Sequence, residues 1–130
     1  MLTITNTTTM SLALDSHLNP AIKALLVMRR DQLLSDTGGG HDIGELANWI
    51  IVAPGDPLAA IETAAGYPIA PDPPWEWVID HGGIMEAPII LSDDGFGVVL
   101  IVPDEQGVDS VLLKLLKRDA VAADVSGNAA

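Results

Sequence analysis

Two β-rich apolar runs, "MEAPIIL" at 85–91 and "FGVVLIV" at 96–102, are joined through Ser92-Asp93-Asp94-Gly95. Asp-Gly is a dipeptide favoured by two-residue type I′ hairpin turns, whose central residues both need positive φ. The turn reading pairs Asp93 with Phe96, Leu91 with Val98 and Ile89 with Leu100. Side chains alternate along a strand, so Ile89, Leu91, Val98 and Leu100 share one sheet face. Ile90, Val99 and Ile101 share the other. Both faces are apolar, and such a hairpin must lie inside the fold with cover on each side.

The cover comes from helices. "NPAIKALLVMRRDQLLS" carries Asn19 as N-cap, Pro20 at the first helical position and a stripe of Leu18, Ile22, Leu25, Leu26 and Leu33. Arg29 falls inside that stripe, and a long cationic side chain there is expected to snorkel to its edge. A closing helix starts at the N-cap Asp109, burying Val108, Val111, Leu112, Leu115 and Leu116 and turning Lys114, Lys117 and Arg118 outward. Between them, Asp42 and Glu45 have capping-box spacing before a strand at 49–53. Asp56 and Pro57 open a short helix that Gly66 ends. "PPWEWVIDHGG" has Pro74 placed to start a helix, His81 for its last turn and Gly82 just past its end, and is read as a short helix rather than a strand. These signals predict an α+β fold: a small antiparallel sheet centred on the hairpin at about 84–102, packed against the N- and C-terminal helices. The domain is expected over 19–119, with residues 1–18 (where Met10 is a second candidate start) and 120–130 as flexible tails. If the two longest helices lie side by side, the face with Ile90, Val99 and Ile101 stays wet, and a homodimer is the expected remedy.

Charge restricts the partners. The formal net charge is -12, and from Asp31 to Leu113 there are fifteen carboxylates with no Lys or Arg, hence -15 in that stretch. Direct contact with nucleic acid or with an anionic membrane surface is excluded on this ground. Apolar runs of five residues ("WIIVA", "VVLIV") fall far short of the ~20 a membrane helix needs. With 48% apolar and 18% charged residues the chain is not a disordered one, and without cysteine it has no disulfide or thiolate metal site. A cytoplasmic protein without a cofactor is expected.

Chemical motifs are sparse. "DTG" at 36–38 follows a helix instead of sitting in the rigid strand loop of an aspartic protease. Neither G-x-G-x-x-G nor Gly-Lys-Ser/Thr occurs, and "DDGFG" lacks the alternating acids of a calcium loop. His41 stands four residues before Glu45, a spacing that predicts a local hydrogen bond. For acid–base chemistry or a divalent cation the candidates are Asp80, His81 and Glu86, converging near Gly82-Gly83, together with Asp93 and Asp94. For a basic partner they are Asp72, Trp75, Glu76, Trp77, Asp80, Asp93, Asp94, Asp104 and Glu105. Aromatics among acids suit Arg or Lys side chains, through cation–π contact and charge pairing.

The segment "PPWEWVIDHGGIMEAPIILSDDGFGVVLIVPDEQGVD" resembles small uncharacterised acidic proteins of bacterial plasmids and mobile elements, over roughly residues 45–118. That resemblance implies no activity. A fainter similarity is to immunity proteins of the SMI1/KNR4 type, which also have helices, tryptophans and an acidic hairpin sheet. The expected function is a non-catalytic acidic interaction module: an inhibitor, immunity protein or DNA mimic on a basic protein surface. The alternative is a small enzyme or divalent-metal-binding protein using Asp80, His81, Glu86, Asp93 and Asp94.

Overall fold

A computed structural model describes residues 1–38, 40–89 and 97–123. Among them the chain runs β1 (Leu2–Ile4), α1 (Thr7–Leu14), α2 (Pro20–Asp36), α3 (Ile43–Leu46), β2 (Ala47–Ile51), α4 (Leu58–Ala65), β3 (Val78–Asp80), β4 (Ile84–Pro88), β5 (Gly97–Pro103), α5 (Ser110–Asp119) and β6 (Ala120–Ala122). The fold class is α+β, as expected. The sheet is larger than expected and mixed: six strands in the order β1-β2-β5-β4-β3-β6, with β2/β5 and β3/β6 parallel.

The central hairpin exists, in a different register. Ala87 pairs with Leu100 and Pro88 with Val99, and Ile89 donates its N–H to Val98 at 2.7 Å rather than facing Leu100. The shift is two residues, one full period of the pleat, so each side chain keeps its face. The Asp94-Gly95 turn lies outside the described residues.

Each sheet face has its own apolar layer. On one, Ile4, Trp49, Ile51, Val99 and Ile101 pack under α1, α2 and α3, with Met10, Ile22, Leu25, Leu26, Leu33, Ile43 and Leu46. On the other, Ile50, Val52, Met85, Ala87, Ile89, Leu100 and Val102 pack under α4 and α5, with Ile61, Leu112 and Leu116. The two longest helices therefore lie on opposite faces. Of the face expected to stay uncovered, Val99 and Ile101 are fully buried under α2, while Ile90 lies outside the described residues. Within α5 the buried stripe is narrower than expected: Leu112 and Leu116 are buried and Val111 is 51% exposed.

Helix starts follow the sequence. Asn19 accepts the Ala21 N–H at 2.8 Å, Asp42 that of Gly44 at 2.9 Å, and Asp109 those of Val111 and Leu112 at 2.9 and 3.2 Å. Asp56 does not cap α4. It accepts from the Ala53 N–H and pairs with the Met1 ammonium, while Asp109 reaches across to the Leu58 N–H at 3.2 Å.

Three expectations are corrected. Residues 1–18 are not a loose tail: Leu2, Thr3 and Ile4 pair antiparallel with Ile51, Ile50 and Trp49, and Asn6 caps α1 in a reciprocal box with Thr9. Ala120, Val121 and Ala122 likewise join the sheet beside β3. The segment at 75–81 is not a helix. Ladders to β4 and β6 on either side claim the backbone of Val78–Asp80. Gly82 and Gly83, at φ +73° and +102°, close the β3–β4 turn instead of ending a helix.

Candidate functional site

The most concentrated polar chemistry is built around Glu86. It sits inside the apolar run of β4, and the parity that buries Ile84 under α2 turns Glu86 to the same side. It is the charged side chain that burial removes completely from solvent among the described residues, at 0% exposure. Burying a carboxylate without partners is prohibitive, and three N–H donors meet it. From α2, Arg29 Nε donates to Oε2 at 2.7 Å and Nη2 to Oε1 at 2.6 Å, a two-pronged fork. From the β3–β4 turn, His81 Nε2 lies 2.9 Å from Oε1. The carboxylate requires the donating tautomer there, with the proton on Nε2.

The arginine is held in turn. Its Nη1 donates to Gln32 Oε1 at 3.0 Å, and its guanidinium carbon stands 5.7 Å from the centroid of the Trp77 ring. Arg29 thus does not snorkel to the stripe's edge: a buried acid opposite offers it more than water does. Burial pushes the Glu86 carboxyl upward, but hydrogen bonds from His81 and Arg29 and the two partners' charges outweigh that, and the group lies below its ordinary range.

His81 is the exposed end of this chain, with its side chain 22% accessible. Two depressions share His81 and Gly82. One, of about 230 Å³, is also lined by Asn19, Gly83, Asp104 and Glu105. The other, of about 560 Å³, is lined by Asp80, Ala122 and Ala123.

Of the expected acid–base residues, the structure brings His81 and Glu86 together. Asp80 stands apart: it pairs with Met85 across the ladder, which turns it to the opposite sheet face, and its Oδ1 accepts the Gly83 N–H at 2.7 Å. Asp93 and Asp94 lie outside the described residues. No group of three or more His, Asp or Glu able to hold a metal occurs among the described residues.

Among the described residues, the expected partner-binding residues are spread over several parts of the fold. Asp104 and Glu105 are exposed beside the β3–β4 turn, where the Asp104 N–H donates to Gly83 at 2.6 Å. Glu76 is exposed at the other end of the strands, its N–H donating to Pro88 at 2.9 Å. Asp72 is exposed within electrostatic reach of Arg118. Trp75 is a core residue on the α5 side, and its indole N–H donates to Asp119 at 2.9 Å. Trp77 is half-buried, with the chain's own Arg29 as its cationic neighbour. The aromatic pair therefore serves the fold from within.

Arg29 and Trp77 were the members of the buried cluster that sequence reasoning did not assemble. The signal was present: one charge inside the α2 stripe and one acid inside the apolar β4 run, each costly unless matched by the other.

Comparison of the chain with protein-family models, with curated proteins and with solved structures finds no match. No helix among the described residues is long and apolar enough to cross a membrane.

Proposed function

We propose that this protein is a non-catalytic acidic interaction module that occupies a basic surface of a partner protein, as an inhibitor, immunity protein or DNA mimic would. The observation that carries the reading is the internal use of its cations. Four of the six Lys and Arg pair with the chain's own carboxylates: Arg29 with Glu86, Arg30 with Asp31, Lys117 with Asp104 and Arg118 with Asp119. Of the other two, Lys114 is exposed and Lys23 half-buried, and they are outnumbered by acids, Asp72, Glu76 and Glu105 being exposed and the net charge -12 overall. Such a field accelerates encounter with a basic partner and repels nucleic acid.

The test is capture of a partner from host lysate at low and high salt, by the wild-type chain and by two neutralised variants. Asp104→Asn with Glu105→Gln neutralises one end of the sheet, and Asp72→Asn with Glu76→Gln removes the acids of the Trp75–Trp77 segment. The reading predicts capture of a basic protein that high salt and at least one variant abolish. Capture insensitive to both overturns it.

A second reading, a small enzyme or divalent-cation site using Asp80, His81, Glu86, Asp93 and Asp94, draws on one observation: the His81–Glu86 contact at the edge of two depressions. It fits less well because Arg29 already occupies both Glu86 oxygens, leaving the carboxylate to position His81 rather than to take a proton. Chemical-shift changes at His81 on adding Mg²⁺, Ca²⁺ or Zn²⁺ would favour it.

A further inference from the structure

The two apolar layers differ in one respect. The layer under α4 and α5 is closed by apolar side chains. The layer under α1, α2 and α3 contains, in addition, the buried Glu86. The groups facing that carboxylate can be named element by element: Arg29 from α2, His81 from the β3–β4 turn, and, on the paired positions of the neighbouring strands, the apolar Ile79 and Ile101. Other carboxylates that join segments by bonding backbone amides (Asp42, Asp56, Glu62, Asp80 and Asp109) do so at the surface or at its margin. If one of these is protonated, water can replace the lost bond. Protonating Glu86 leaves a guanidinium without its anion at a side chain only 12% exposed, where water has little access.

We infer that Glu86 makes the fold an acid-operated two-stage device, in which acidification releases α2 and its apolar layer while the layer under α4 and α5 stays closed. The direction follows from linkage. Glu86 is held below its ordinary range, so its contribution is complete above the unfolded carboxyl value and is lost as pH falls through the lower folded one. Release therefore waits for the carboxylate itself, and the surface set free is the one centred on Leu25, Leu26 and Trp49.

Each layer carries its own reporter. Trp49 is fully buried under α2, and Trp75 is buried on the α5 side, its indole held by Asp119. Arg118 and Trp75 itself keep that aspartate down at about 2, so its grip on the indole persists into strong acid.

The experiment follows the three indole N–H cross-peaks of the ¹⁵N-labelled wild-type chain from pH 7 to pH 2, assigned with single Trp→Phe variants. The expected result is loss of the native Trp49 and Trp77 signals at a higher pH than loss of the Trp75 signal. A chain with Arg29→Met and Glu86→Leu should bring the Trp49 transition down to that of Trp75. Coincident loss of all three signals in the wild type, or loss of Trp75 first, overturns the inference. That ordering decides the matter even if the double variant does not fold.

Discussion

Replacing Glu86 by Gln keeps the shape of the side chain and removes its charge. Both oxygens currently accept: Oε2 one bond from Arg29, Oε1 one from Arg29 and one from His81. An amide nitrogen in either position faces donors, so at least one bond is lost and the guanidinium keeps no anion. The Arg29 side chain is 12% exposed, which leaves little access for water to compensate. Breaking one partner out of a buried pair costs about 3–5 kcal/mol. A domain of this size is stable by about 5–15 kcal/mol in total, so Glu86→Gln removes at least about a fifth of the stability and, in a marginal domain, most of it. Arg29→Met costs a similar amount by leaving the anion. Glu86→Leu with Arg29→Met together should lie within about 2 kcal/mol of wild type, because the desolvation of both charges disappears with them. Urea denaturation followed by circular dichroism measures all three, and the Glu86→Leu single variant closes the cycle that gives the coupling. Single variants that each cost less than about 1 kcal/mol, or effects that simply add in the double variant, would refute the reasoning, since exposed ion pairs behave that way.

Gly44 comes so close to the Thr5 backbone carbonyl that an added Cβ would overlap it, and backbone cannot step aside as a side chain can. Gly44→Ala should therefore cost about 1–3 kcal/mol in urea denaturation, whereas Gly40→Ala, with open space around it, should cost little. Both sheet faces are covered within one chain, so light scattering at micromolar concentration should give a mass near 13.6 kDa; twice that mass would mean a surface unaccounted for by the two layers. On the acid side, stability should hold level down to the ordinary carboxyl range and then fall. The Glu86→Leu, Arg29→Met chain should lose less of its stability between pH 5 and pH 3 than the wild type, as read by the urea midpoint at each pH.

The parts of the fold legible in the sequence are those whose signal is local and periodic. Ile22, Leu25, Leu26 and Leu33 mark the buried side of α2, Asn19 and Pro20 mark its start, and Asp109 starts α5. The faces of the described hairpin residues were also readable, and they survived a wrong register because a two-residue slip leaves parity intact. What escaped were elements that exist because of distant partners. Leu2–Ile4 is three residues in a Thr-rich run and becomes a strand only against Ile51, Ile50 and Trp49. Val78–Asp80 and Ala120–Ala122 each need the other, at a separation of some forty residues. The glycines after His81 suit a helix stop and a hairpin turn equally, since both use positive φ, and only the ladders decide. At the candidate site, His81 and Glu86 were close in sequence and were grouped correctly. Arg29 is 57 residues from its partner, and taken alone it suggested a side chain escaping to water.

The central claim is that the exposed acids, rather than a catalytic centre, are what this protein uses. Its most direct test is the affinity of the wild-type chain for the captured partner, measured calorimetrically from low to high salt alongside the Asp104→Asn, Glu105→Gln and Asp72→Asn, Glu76→Gln chains. The account predicts affinity that falls steeply with ionic strength, a weaker starting affinity and a shallower salt slope in at least one variant, and unchanged folding in both. An affinity indifferent to salt, and equal in all three chains, would contradict it.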